Sequence, residues 1–340
     1  MNRSMDFLNP AAAAAKLGVS AKALRLYEQH GLLVPGRRAA GWRVYGPDDM
    51  ARAGEIVALR ALGLSLVQVG RVLGGDAEAL GPALAAHQEA LDQDLRQLAA
   101  TIDHVRRLRA DLGQGALPVA TALTQLAEKG PEVAFALPWP WGGERFALPS
   151  LKPLTFITGP LGSGKTRLAR RLAEEIAGAV FLPMDRLSGD WRAACDGDAD
   201  LRAQVATAVA WLVEDGATRS DALLALLVGL HAGAGAVIVD MVEEGLDLET
   251  QQALIAFLRR RGPAARSLLL MTRSSAILDL EVVRPEETII FCPANHAPPA
   301  LVLPYPGTAG FEALASCLAT PEVRARSAGV VAWRPMVAEA

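Results

Sequence analysis

Two stretches of this 340-residue chain hold residue types whose spacing could do chemistry on phosphate. The first is GPLGSGKT, Gly159 to Thr166, which fits G-x-x-x-x-G-K-[ST] at every position. Glycines at 159, 162 and 164, with Ser163 between them, let backbone N–H groups come close to an anion. A helix starting there would aim the positive end of its dipole at the same point. Lys165 would meet β- and γ-phosphate oxygens, and the Thr166 hydroxyl would ligate Mg²⁺. The second stretch is an apolar run, Ala236 to Val239, that ends on Asp240. An acid at that place would complete the Mg²⁺ site. The expected cofactors are therefore a nucleoside triphosphate, taken as ATP, and Mg²⁺.

These residues need a scaffold that brings strand ends together. Leu154–Thr158 reads as a buried strand leading into the glycine-rich turn, with a helix after it. Strands and helices then alternate, so residues 151–340 are expected to form an α/β P-loop nucleotide-binding domain with a mainly parallel sheet. Residues 114–150 are rich in proline and aromatics and read as a linker leading toward a short antiparallel hairpin. Trp139 and Trp141 there could stack on a base or dock the linker onto the domain; both readings stand. From Pro293 onward the pattern is weak and no role is assigned.

The segment Gly235–Arg260 resembles ABC-type ATPases, with Gly245, Leu246 and Asp247 matching that family's D-loop, and Ser267–Leu280 resembles its next strand and switch region. Three departures bear on hydrolysis. Met241 stands where the resemblance places a catalytic Glu, Arg273 stands where it places a His, and the family's signature sequence is missing. Glu243 or Glu244 could act as a replacement catalytic base or be solvated loop acids. Arg273 could sense a γ-phosphate or lie on the surface. Nucleotide binding is expected, and whether the chain is an enzyme stays open.

The N-terminal residues follow a different pattern. Asn9–Leu17 and Ala21–His30 read as two helices joined by a tight turn at Gly18, with Ser20 capping the second. A hairpin follows over Arg37–Tyr45, then helices near Asp49–Leu62 and Ser65–Leu73. Over residues 80–112, Leu84, Leu91, Leu98, Val105 and Leu112 recur every seven residues, with Leu95 and Ile102 between, as a coiled-coil seam requires. Gly18–Tyr45, with Leu24-Arg25-x-Tyr27-Glu28, Gly31-Leu32-Leu33 and Arg43-x-Tyr45, resembles the MerR family of regulators.

That resemblance implies a winged helix-turn-helix over residues 1–75 and a dimerising coiled coil over 76–113. It implies a homodimer on double-stranded promoter DNA, with RNA polymerase as a further partner. The residues expected to meet DNA are Lys22 and Arg25 on the recognition helix, Arg37, Arg38 and Arg43 on the wing, and the hydroxyls of Tyr27 and Tyr45. Tyr27 reads equally well as core, and Trp42 reads as packing.

Composition narrows the classes. Net charge is −3, yet residues 1–75 carry ten Lys/Arg against five Asp/Glu, a basic module on an acidic protein. Three cysteines, Cys195, Cys292 and Cys317, argue against a disulfide framework and toward a reducing cytoplasm. The lack of cysteine near the coiled coil argues against a thiolate metal sensor, and His87 and His104 read as solvated. No apolar run is long enough for a membrane span. The expected function is ATP-responsive, promoter-binding transcription control. The alternative is an ABC-like or kinase-like ATPase that the N-terminal module targets to DNA.

Overall fold

The computed structural model describes residues 7–37, 42–113, 133–262 and 265–318; Arg38 and the segment after residue 318 lie outside them. Asn9 opens α1 (Pro10–Leu17): its side chain accepts from the Ala12 N–H at 2.8 Å, and Pro10, which needs no hydrogen-bond partner, fills the first turn. Gly18 ends it at φ 67°. Ser20 caps α2 (Ala21–Gln29) by the same kind of bond to Ala23. Strands β1 (Gly36–Arg37) and β2 (Arg43–Val44) pair antiparallel as the wing.

Helix α3 (Pro47–Ala61) starts earlier than Asp48 at the cap would allow. Pro47 takes the first turn, and the Asp49 carboxylate reaches back to the Gly46 N–H at 2.8 Å. Ser65 and Gln68 form a reciprocal cap on α4 (Leu66–Leu73). The four helices bury Leu24, Tyr27, Tyr45, Ile56, Leu64 and Val69 in one core. Each large apolar side chain there contributes about 1.5–3 kcal/mol. Helix α5 (Leu80–Gly113) then runs out of this core, with Leu84, Leu91, Leu95, Ile102 and Val105 exposed.

The C-terminal half is built on a six-stranded sheet. Its strands are β5 (Leu154–Thr158), β6 (Val180–Leu182), β7 (Val237–Val239), β8 (Leu268–Met271), β9 (Glu287–Phe291) and β10 (Ala300–Leu301), in the order β10-β9-β5-β8-β7-β6. All neighbours are parallel except β10, which pairs antiparallel at the edge. Strands β5, β7 and β8 are buried throughout, which explains their unbroken apolar sequences. On one face pack α8 (Ala199–Glu214), α9 (Asp221–His231) and α10 (Leu248–Arg259).

On the other face lies α6 (Lys165–Glu175), together with the hairpin β3 (Val133–Ala136) and β4 (Arg145–Leu148). Composition placed this hairpin with the linker. Instead Val133, Phe135, Trp141 and Phe146 join the same core as Ile157 and Leu168, because the face of the sheet that carries α6 would otherwise expose its apolar side chains. Strand β8 lies between β5 and β7, so the glycine-rich turn, Thr272 and Asp240 follow the carboxyl ends of three adjacent strands in the middle of the sheet.

Candidate nucleotide site and nucleic-acid interface

Two glycines of the P-loop are there because nothing else fits. A Cβ on Gly159 would lie 2.2 Å from the Cys292 carbonyl oxygen, and one on Gly164 would lie 2.6 Å from the Trp141 ring. Both also have positive φ, 147° and 89°. The loop therefore holds a tight cradle at the start of α6, whose first-turn N–H groups have no partner within the helix. Lys165 Nζ folds back onto the carbonyls of Gly159 at 2.9 Å and Pro160 at 2.7 Å. Burial lowers its pKa from the ordinary lysine value.

Thr166 Oγ1 donates to Asp240 Oδ2 at 3.2 Å. Burial raises the Asp240 pKa, and the Thr166 bond and the Lys165 charge oppose that rise. A hydroxyl and a carboxylate side by side make a hard oxygen donor set that suits Mg²⁺. Cradle, lysine and oxygen pair together fit a magnesium-bound nucleoside triphosphate.

The turn carrying Asp240 is held by Arg186, which sequence reasoning missed. Its buried guanidinium donates to the carbonyls of Asp240 at 3.2 Å, Met241 at 3.4 Å, Val242 at 3.3 Å and Glu244 at 3.1 Å. Met241 sits at φ 44°, a left-handed conformation that costs a non-glycine residue energy and needs surrounding restraint. Two further bonds join this turn to the end of β8: Val242 N–H to the Met271 carbonyl at 2.9 Å, and Arg273 N–H to Glu243 Oε1 at 3.0 Å. Glu243 is buried in this link and is not a solvated loop acid, whereas Glu244 is exposed.

The two tryptophans separate. Trp141 is buried and donates through Nε1 to the Ala297 carbonyl at 3.1 Å, which gives the segment after Pro293 a structural role. Trp139 is 69% exposed, with the Arg167 guanidinium 4.4 Å from its ring centre.

The segment after β8 also touches the helix-turn-helix. Lys22 Nζ donates to the Ser275 carbonyl at 3.1 Å and lies 3.4 Å from Asp279 Oδ2. Within this segment Ser274 bonds Thr272, Gln251 and Ala276, and Thr272 N–H reaches the Ile157 carbonyl of the P-loop strand. A second contact anchors the halves. Asp215, after α8, takes Arg60 through both carboxylate oxygens and accepts the Leu66 N–H at 2.8 Å. Ser65 donates to Glu214 at 2.8 Å, and Trp211 Nε1 to the Gly63 carbonyl at 3.2 Å.

The expected DNA contacts divide accordingly. Arg25 and Arg37 are exposed. Arg43 is paired with Glu28, its Nε 2.6 Å from Oε2, and so ties the wing to α2. Two expectations are corrected. Tyr27 is buried beside Arg60 and Asp215, and burial raises its pKa. Tyr45 is fully buried and donates to Glu28 Oε1 at 2.6 Å. Neither hydroxyl is placed for a phosphate. Trp42, read as packing, is 73% exposed, because the two-residue wing strands offer it no core. No signal near Arg186, Asp215 or Asp279 in sequence marks their roles; each acts on residues distant in the chain.

The profile of MerR HTH family regulatory proteins matches residues 8–75. An uncharacterized HTH-type transcriptional regulator of Pseudomonas aeruginosa, PA4778, is 36% identical over 102 residues, covering 30% of this chain and 69% of that protein. The solved structure of HiNmlR, a MerR family regulator lacking the sensor domain and bound to promoter DNA, is 24% identical. It covers 31% of this chain and 94% of its own, with a TM-score of 0.26. An inward-facing putative metal-chelate type ABC transporter is 13% identical and covers 55% of this chain and 87% of its own, at a TM-score of 0.40. Both structural likenesses are too slight to support a reading of function.

Proposed function

This chain belongs to the MerR HTH family of regulatory proteins, and from that premise we propose that it is a dimeric promoter-binding regulator whose DNA affinity is set by ATP and Mg²⁺ at the Gly159–Thr166 loop. The observation that carries this reading is the segment Thr272–Asp279. It starts beside the P-loop strand and the Asp240 turn, and it ends holding Lys22 of the recognition helix.

Lys165 and the backbone N–H groups of Gly162–Thr166 would hold the phosphates, and Thr166 and Asp240 the Mg²⁺. The bound group would supply three phosphates' negative charge and one divalent cation to these strand ends. Lys165 would then give up the Gly159 and Pro160 carbonyls. Arg186 keeps the 240–244 turn rigid, so a shift of Asp240 moves the turn as a unit. Glu243 and Val242 transmit that shift to the end of β8 through their bonds to Arg273 and Met271. Ser275 and Asp279 lie next along the chain. While they hold Lys22, that cation is withheld from DNA phosphate, and its release adds one phosphate contact. Coupling of this kind needs a difference in affinity between the two arrangements of about 1–3 kcal/mol.

On the DNA side, Arg25 and Arg37 supply exposed positive charge to the backbone, with the α2 helix as the reading element. The exposed leucines of α5 at seven-residue spacing suit a second copy of the same helix. The reading requires nucleotide binding and makes no demand for turnover. Calorimetric titration with Mg²⁺–ATP tests it: the wild type should saturate and Lys165→Ala should not. No heat of binding in the wild type would contradict the proposal.

A further inference from the structure

Where the two halves dock they line a half-open cavity of about 620 Å³. That volume lies in the range of small-molecule sites, which favour domain interfaces. One side comes from α2, α3 and the start of α5, including Leu26, Val57 and His87. The other comes from α10 and the segment after β8, including Ile255, Ala256 and Val283. The middle of the wall is apolar. Around it stand five cationic side chains against two carboxylates, Asp279 and Glu281.

Three of those cations are neutralised: Lys22 by Asp279, Arg60 by Asp215 and Arg259 by Glu287. Arg260 and Arg284 have no ion pair among the described residues. The Arg260 guanidinium lies 4.6 Å from the centre of the Trp211 ring, and Arg60 lies 5.4 Å from the same ring. Among the described residues Asp215 pairs with Arg60 and lies beside Arg260, so two guanidiniums share one carboxylate at this end of the cavity. Arg284 donates to the Arg259 carbonyl at 3.1 Å. Partial burial lowers the pKa of both Arg260 and Arg284, against the opposing pull of Asp215 on Arg260 and of Glu287 and Glu286 on Arg284.

We propose that this cavity is a second ligand site, for an organic anion with an apolar body: a carboxylate, sulfonate or phosphate head against Arg260, and the body against Leu26, Val57, Ile255 and Ala256. Arg284, from the segment after β8 on the same wall, adds to the attraction. Because both halves of the chain form the walls, an occupant favours the docked arrangement. The site is separate from the P-loop and does not depend on the nucleotide reading.

The test uses 1-anilinonaphthalene-8-sulfonate as an anionic probe and N-phenyl-1-naphthylamine as its uncharged counterpart, in fluorescence titrations of the full chain. Both are run on a Lys165→Ala background and again on wild type with Mg²⁺–ATP, so that failure of the nucleotide site leaves this test intact. One saturable site for the sulfonate is expected in both. Arg260→Gln should weaken it about tenfold, the scale of one lost charge-assisted hydrogen bond, and leave the uncharged dye within about twofold. Ala256→Trp should remove one site for either dye. Equal sulfonate affinity in wild type and Arg260→Gln would overturn the proposal, whatever Ala256→Trp does to folding. An unchanged site count in a folded Ala256→Trp variant would overturn it as well.

Discussion

Lys22 and Asp279 lie far apart in sequence and 3.4 Å apart in space, and their pairing places a recognition-helix cation against the segment that follows β8. The pair is half-exposed on the lysine side, so its own strength is small, about 0–1 kcal/mol. Its importance lies in what Lys22 cannot do while it is made.

Asp279→Asn should therefore raise nucleotide-free DNA affinity by up to about fivefold, with no change in fold. With Mg²⁺–ATP present, where Lys22 is released, Lys22→Ala should lower the dependence of log affinity on log salt by about 1, and without nucleotide it should change it little. Fluorescence anisotropy across a salt series checks both. An affinity unmoved by Asp279→Asn would mean that the pair restrains nothing.

Arg186 is a positioning residue for the Asp240 turn. Arg186→Met should remove its hydrogen bonds to Asp240, Met241, Val242 and Glu244, costing about 2 kcal/mol or more. Magnesium-dependent nucleotide binding should weaken more than magnesium-free binding, because the turn carries the metal-side acid. Titrations with and without Mg²⁺ read the difference. Equal weakening in both would point to general loss of stability instead.

Helix α5 leaves Leu91 at 54% and Leu95 at 64% exposure. Placing a charge in that seam, as in Leu91→Asp, should convert a dimer to a monomer and reduce operator binding by orders of magnitude, since both half-sites then bind independently. Sedimentation velocity decides it. A wild-type chain that already sediments as a monomer at micromolar concentration would rule out this seam as the dimer contact.

Cys292 is fully buried behind the P-loop, and burial pushes its thiol pKa up to about 12. At pH 8 only about one in ten thousand such thiols would be ionised. Cys195 and Cys317, both partly exposed, should react with iodoacetamide first, and Cys292 only on unfolding. Peptide mapping of the native protein checks the order. Early alkylation at Cys292 would contradict the packing of the loop.

Much of this architecture could be read locally. The P-loop and its flanking strand and helix, the caps at Asn9, Ser20 and Ser65, and the seven-residue spacing of α5 all follow from residues close in sequence. Trp141 and the β3–β4 hairpin were harder. Their proline-rich composition resembles a spacer, and only the apolar face of the sheet shows why they fold against it. Tyr27 and Tyr45 sit among residues expected to meet DNA, yet one turns toward Arg60 and Asp215 and the other toward Glu28. Arg186, Asp215 and Asp279 left no local mark at all. Their roles come from carbonyls, a guanidinium and an ammonium that the fold delivers from elsewhere.

The most direct measurement is affinity for the DNA upstream of the protein's own coding sequence, by fluorescence anisotropy at fixed salt. Wild type and Lys165→Ala would be compared with and without Mg²⁺–ATP. The account predicts that ATP shifts the wild-type dissociation constant by about 5- to 150-fold, the range of a coupling of 1–3 kcal/mol, and leaves Lys165→Ala unmoved. Tight binding by both proteins, with no response to ATP in either, would contradict it.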